Sequence, residues 1–198
     1  MVLLSTEQTA EELNDAFGLT SITAAKVLAL VRTGALTDLG PGRSVRVDMA
    51  QVHAFTASLR LVTPGEWPGD HPLFRVSLIE LREDEIRDDN GVVLRTHAGV
   101  DYSNTLAVPQ TARELAWTGV WEVSDTTAQR AIAERAVLFG TTKGYINPSY
   151  VRTIVGTRRT PDGSRIWWET APAPAEVIQF VGSGLWMPVK PGRESDWA

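Results

Sequence analysis

The stretch "SITAAKVLALVRTGAL", Ser21 to Leu36, decides how the first part of the chain is read. Thr20 or Ser21 can cap a helix here, because a short hydroxyl side chain accepts backbone N–H groups that a helix start leaves unpaired. Ile22, Ala25, Val27, Leu28, Leu30 and Val31 then surround much of the helix with apolar surface. Gly34 supplies the left-handed residue at which helices commonly end. Its basic residues are Lys26 and Arg32.

Upstream, Ser5 followed by Gln8 forms a capping box, which predicts a helix running to about Phe17 with Ala10, Leu13, Ala16 and Phe17 on one stripe and Gly18 as its stop. Downstream, "ALTDLGPGRSVRVD" reads as a β-hairpin, with Gly-Pro-Gly turning between Ala35–Leu39 and Ser44–Val47 and with Arg43 and Arg46 projecting. Asp48 caps a third helix, "MAQVHAFTASL", whose Val52, Phe55 and Leu59 share a face. Helix, helix, hairpin, helix is the resulting order.

That order, carried by "TAEELNDAFGL", "SITAAKVLALVRTGAL" and "GRSVRVDMAQVHAF", resembles the winged helix-turn-helix of the MerR and excisionase type from about Ser5 to Leu59. The resemblance implies that the second helix enters the DNA major groove and the wing touches the backbone beside it. It places Ser21, Thr23, Lys26 and Arg32 on or beside the groove and Arg43 and Arg46 on phosphates. The segment departs from that family in its side chains. Ala24, Ala25 and Ala29 stand where donors able to read base edges are usual. Over Met1 to Gly65 the bases Lys26, Arg32, Arg43, Arg46 and Arg60 are outweighed by Glu7, Glu11, Glu12, Asp15, Asp38 and Asp48.

The rest of the chain has a different grammar. "TPGEWPGDHP", Thr63 to Pro72, cannot sustain a helix or ladder, and is expected to link a first domain (1–62) to a second (73–198). "LFRVSLIELRED" suggests a strand with one slip or bulge, "DDNGVVLRT" a turn into another strand, "VPQTARELAWTG" one or two helical turns, and "GVWEVS" a short strand. Ser124 or Asp125 caps the helix "TTAQRAIAERAV", which spaces Ala128, Ala131, Ile132 and Arg135 helically. "AVLFGTT", "YVRTIVGTRR" and "SRIWWETAP" follow as strands, the last two joined by "TPDG". The fold class is therefore α+β: a small helical winged unit, then a curled sheet or small barrel. "TGVWEVSDTTAQRAIAERAVLFG", "YVRTIVG", "SRIWWE" and "VIQFVGSGLW" together resemble a PUA-related barrel, which implies contact with nucleic acid or modified bases.

Arg152, Arg158, Arg159 and Arg165 surround the last hairpin, with Trp167 and Trp168 behind it. Arginine forks beside aromatic planes suit phosphate contact and base stacking. Neighbouring strand residues point to opposite faces, so in a one-sided sheet one of the two tryptophans meets a ligand, a partner or the other domain. Arg158, Arg159 and Trp168 are the candidates there.

Composition bounds the remaining choices. With no cysteine, thiolate chemistry is excluded; three scattered histidines, His53, His71 and His97, argue against a histidine-rich metal site, and no metal or cofactor is expected. A formal charge of −5 argues against nonspecific coating of nucleic acid, so any DNA contact is local. No run reaches the roughly 18–20 apolar residues that span a bilayer, and "MVLLSTEQTAEEL" lacks a secretion signal, which points to the cytoplasm. His97, Asp101 and Ser103 are the residue types of a nucleophilic triad, but no nucleophile elbow accompanies them. Glu80, Glu83, Asp84, Glu85, Asp88 and Asp89, with Asp101 beyond, read as a solvated charge run rather than a metal site. "GPGR" and "GSG" lack the context of a phosphate loop.

The expected function is a non-enzymatic, double-stranded-DNA-binding protein, a transcriptional regulator or recombination accessory factor, whose second domain supplies homodimerisation, sensing or a further nucleic-acid contact. The alternatives are a protein-interaction scaffold, or a module recognising modified DNA in restriction or phage defence.

Overall fold

The computed structural model describes residues 1–88, 90–188 and 195–197. Strand β1 (Leu3–Leu4) leads into α1 (Thr6–Phe17), where Ser5 and Gln8 form the expected reciprocal cap and Gly18 ends the helix. Helix α2 (Ala24–Arg32) begins later than Thr20 or Ser21 would start it, with Thr23 as the capping residue. The reason lies in Asn14, whose amide bonds the N–H and C=O of Ile22 at 3.0 and 2.8 Å and so holds Ile22 outside the helix.

The expected hairpin over 35–47 does not form. Leu39 N–H does reach Arg46 C=O at 2.8 Å, but the Asp38 carboxylate takes the N–H groups of Gly40 and Arg46, and no ladder follows. Short polar side chains compete with the ladder in this way. Strand β2 (Val47–Asp48) pairs antiparallel with β1 instead. Asp48 caps α3 (Met49–Ser58) as its position predicts, and β3 (Arg60–Leu61) follows. Leu13, Val27, Leu30, Leu36, Val47 and Val52 form the buried centre of this helical region.

The second region contributes β4 (Leu73–Ser77), β5 (Arg82–Arg87), β6 (Val93–Ala98), α4 (Gln110–Thr118), β7 (Gly119–Trp121), α5 (Asp125–Ala133), β8 (Val137–Thr142), β9 (Tyr145–Arg159), β10 (Ile166–Pro172), α6 (Ala175–Val181), β11 (Leu185–Trp186) and β12 (Ser195–Trp197). The fold is α+β. The main sheet runs β12-β4-β8-β9-β10-β7, with β11 on β9, and β5–β6 is a separate hairpin. Among the described residues the sheet is open, its path ending at β12 and β7, so it is not a closed barrel. The expected slipped strand at 73–84 is two strands, β4 in the main sheet and β5 in the hairpin. Helix α5 stops at Ala133, and Arg135 lies beyond it with a φ of 49°.

The sheet is buried on both faces. Phe74, Val76, Leu138, Ile154 and Trp168 face a core that includes Trp117, Ala128 and Ala131 of α4 and α5, while Leu73, Val137 and Phe139 face one that includes Val177 and Val181 of α6. This two-sided cover corrects the expectation for the adjacent tryptophans. Trp167 and Trp168 are both 3% exposed. Trp168 packs edge-on to Phe74 with centroids 5.0 Å apart, and Trp167 lies over Gly119, where a Cβ would come within 2.3 Å of its ring. Trp168 is thus core and offers no base-stacking surface.

Residues 63–72 connect the two regions without being a loose tether, since Trp67 is buried between Phe139 and Phe180 at 5.4 and 5.5 Å. The helical region docks through β3, parallel to β11, and through Phe17 on Trp186 and Phe55 on Tyr145. Near the end of α2, Tyr102 N–H bonds Thr33 C=O at 2.8 Å. Gly34, with a φ of 76°, passes so close that a Cβ would stand 2.9 Å from Ser103. A side chain there would be strained in conformation and in space.

Candidate nucleic-acid interface

Docking decides where the outer face of α2 points. Ala25, Leu28, Ala29 and Arg32 form one wall of a groove of about 440 Å³, and Leu78, Ile79, Glu80, Arg82 and Lys143 of the second region form the other. Leu78, Ile79 and Arg82 also line a cavity of about 220 Å³ with Asp84, Arg95, Gly119, Trp121 and Arg165. Arg95, Asp84 and Arg165 line a third depression with Thr160 and Asp162. The three depressions adjoin through these shared residues, and along this trough of neighbouring depressions Arg32, Lys143, Arg82, Arg95 and Arg165 outnumber Glu80, Asp84 and Asp162.

The residues expected from sequence are dispersed relative to this trough. Ser21 is exposed in the turn before α2, and the Thr23 hydroxyl accepts the Lys26 N–H at 3.4 Å as the helix cap. Lys26 is half-buried, and burial first, then the nearby Lys143 cation, hold its ammonium below the usual lysine range. Arg32 is exposed in the trough at the C-terminal end of α2, where the helix dipole favours a cation. Arg43 is exposed on the 35–46 loop, while Arg46 is half-buried with its Nη1 3.1 Å from the Val45 carbonyl.

Arg158 and Arg159 have partners of their own. Arg158 Nε lies 3.4 Å from Glu169 Oε1 across the β9–β10 ladder, and Arg159 pairs with Asp125 at the start of α5 and donates to Gly163 C=O at 2.9 Å. Both are intramolecular uses of charge that a nucleic acid would have to displace.

Arg82, Arg95, Arg165, Lys143 and Trp121 escape a linear reading. The Asp88–Gly91 turn does announce the β5–β6 hairpin, whose register sets Ile86 opposite Arg95. Arg95, 6% exposed, donates through Nη1 to Gly119 C=O at 2.7 Å and through Nη2 to Asp84. Burial pulls its guanidinium below the ordinary arginine range, Asp84 opposes that, and Arg165 and Arg82 add to it.

The remaining sequence candidates serve local structure. Asp101 accepts the N–H groups of Ser103 and Leu106 at 3.1 and 3.0 Å and the Ser103 hydroxyl, with Arg113 3.9 Å away. Burial alone would raise its pKa, but these bonds and Arg113 bring it below the usual carboxylate value. His97 bonds Thr96 at 2.9 Å and makes no described bond to Asp101 or Ser103. In the acidic run, Glu85 pairs with Arg87 and Asp88 holds its turn; Asp89 lies outside the described residues. No group of three or more metal-ligating side chains, and no helix long and apolar enough to cross a membrane, occurs among the described residues.

Comparison of the chain with protein-family models, curated proteins and solved structures found no match.

Proposed function

We propose that this chain is a non-catalytic DNA-binding protein whose trough between the helical and sheet regions receives the phosphate backbone of one strand. The observation that carries this reading is the succession of Arg32, Lys143, Arg82, Arg95 and Arg165 along adjoining depressions. Phosphate contacts supply most sequence-independent affinity, and a row of Lys and Arg along a groove is the footprint expected of them. Helix α2 then acts as a wall of the groove. It does not enter the major groove, which suits a face of Ala25, Leu28 and Ala29 that carries few base-reading donors. Arg43 on the neighbouring loop adds a peripheral contact.

The test is anisotropy of labelled single-stranded and duplex oligonucleotides at two salt concentrations, with the wild type and with Arg32→Ala, Arg82→Ala, Lys143→Ala combined. Binding to the single strand should weaken steeply with salt, and the triple variant should lose about two units of the logarithmic salt slope, at roughly 0.7 per phosphate contact. Arg43→Ala with Arg46→Ala should weaken binding more than Lys26→Ala. Absence of binding, or a triple variant indistinguishable from the wild type, would overturn the reading.

A further inference from the structure

Inside the trough, the cavity of about 220 Å³ between β5, β6 and β7 has a property that DNA contact does not require. Two of its lining residues bury polar N–H groups that have no acceptor: Arg95 at Nε and Trp121 at Nε1. These residues are 6% and 9% exposed. A buried donor without an acceptor is uncommon in a folded chain and asks what occupies the space beside it. The Arg95 fork has already engaged Gly119 C=O and Asp84 through its terminal nitrogens, which fixes the guanidinium and leaves Nε over.

The surrounding charge indicates the kind of acceptor. Arg82 and Arg165 line the same cavity, are exposed, and make no side-chain ion pair with a described residue. Asp84 is the carboxylate among the lining residues and is held by Arg95, so the cavity keeps an excess of positive charge. Guanidinium groups present several N–H donors in a fixed fork that matches phosphate oxygens, which makes arginine well suited to gripping a phosphate. Its volume is below the roughly 300–1,000 Å³ typical of drug-sized ligands, so it takes a small group. The apolar remainder, Leu78, Ile79 and Val120, would meet a ligand's uncharged part.

We propose that the cavity lined by Arg82, Arg95, Trp121 and Arg165 is a binding site for a phosphate group, with Arg82 and Arg165 as the gripping cations and the buried N–H groups of Arg95 and Trp121 as positive edges in the wall behind them. The proposal stands on the cavity and does not depend on the trough binding a DNA strand. The phosphate can be free, carried by a nucleotide, or the terminal phosphate of an oligonucleotide; all share the chemistry recognised here.

Isothermal titration with inorganic phosphate, against chloride at matched ionic strength, tests the site in the full chain. Saturable binding is expected in the wild type. Arg82→Ala with Arg165→Ala, which changes exposed side chains only, should weaken it at least tenfold. Trp121→Phe removes the indole N–H together with part of a buried ring, and should weaken binding severalfold while lowering the melting temperature somewhat. A 5′-phosphorylated oligonucleotide that outcompetes its 5′-hydroxyl counterpart identifies a strand end as the source, whereas phosphate or nucleotide binding with equal oligonucleotides identifies a small molecule. Heat no different from chloride, or undiminished binding by the double variant, overturns the site while leaving salt-dependent DNA binding to be read separately.

Discussion

Two arginine groups adjoin the β9–β10 hairpin and have opposite fates. Arg158 and Arg159 are neighbours in the chain, and each meets a carboxylate, Glu169 or Asp125, inside the fold. Arg82 and Arg95 on one hairpin and Arg165 far along the chain share one cavity, where Asp84 pairs with Arg95 and the charges of Arg82 and Arg165 stay uncompensated. Adjacency of basic residues is therefore a poor guide to available charge. What matters is whether folding supplies a partner: the ladder pairs Glu169 with Gly156, diagonally across from Arg158 and within reach of it, while Arg165 sits in the turn that joins β9 to β10.

The comparison breaks first at Trp168, which the sequence groups with the paired arginines as a stacking surface. Its burial predicts a large stability effect instead. Trp168→Ala should lower the unfolding free energy by about 3–5 kcal/mol, the cost of truncating a buried aromatic residue. Urea denaturation measures it. A change within about 0.5 kcal/mol, the usual effect at an exposed position, would contradict the two-sided packing of β10.

The same contrast explains which parts of the molecule a linear reading reaches. Ser5 with Gln8, Asp48 before α3, Ser124 before α5 and the Thr160–Gly163 turn are decided by side chains within a few residues of the backbone they bond. Such devices are legible. The 35–47 hairpin misled because Asp38, one residue in the pattern, diverts two backbone donors. The Trp167–Trp168 pair misled because alternation reveals a strand's two faces without revealing that α5 covers one side of the sheet and α6 the other. The trough is least legible of all. Arg82 and Arg95 share the β5–β6 hairpin, but tertiary contacts alone bring Arg32, Lys143 and Arg165 to it, and a net charge of −5 conceals their convergence.

A medium effect should sharpen the comparison, because the assembled group depends on how α2 sits against the second region. Asp101 fixes the 101–106 loop whose Tyr102 N–H holds Thr33 and whose Ser103 abuts Gly34. Asp101→Asn replaces one acceptor oxygen by an NH₂ group facing N–H donors, and should cost about 1–3 kcal/mol. Because the folded pKa lies below the unfolded value of about 3.9, the carboxylate's contribution is present in full above that value and disappears as pH falls through the lower folded value. The wild type's advantage over the variant should thus be constant from neutrality to about pH 5, and shrink below about pH 4. Denaturation across that range checks it, and an advantage that grows on acidification would show that Asp101 is not the ionised lock of this loop. Trough binding should fall with the variant, while the Arg158 and Arg159 pairs stay as they are.

The smallest expected effect is at the arginines that the sequence makes most conspicuous. Arg158 and Glu169 are 60% and 48% exposed, and Arg159 and Asp125 are 44% and 72% exposed. Ion pairs this open to water gain little, because solvent screens the attraction and two long side chains lose freedom; each is worth about 0–1 kcal/mol. Arg158→Ala and Arg159→Ala, singly or together, should therefore shift the denaturation midpoint only slightly and leave the salt slope of DNA binding unchanged. The double variant is also the sharpest internal control for the trough. It removes two positive charges, as Arg82→Ala with Arg165→Ala does, so net charge alone cannot separate the two variants. If both weakened binding equally, affinity would follow overall charge, and the distinction between spent and unspent arginines would fail. If only the second did, the position of each guanidinium relative to its carboxylate would be what determines its availability to a phosphate.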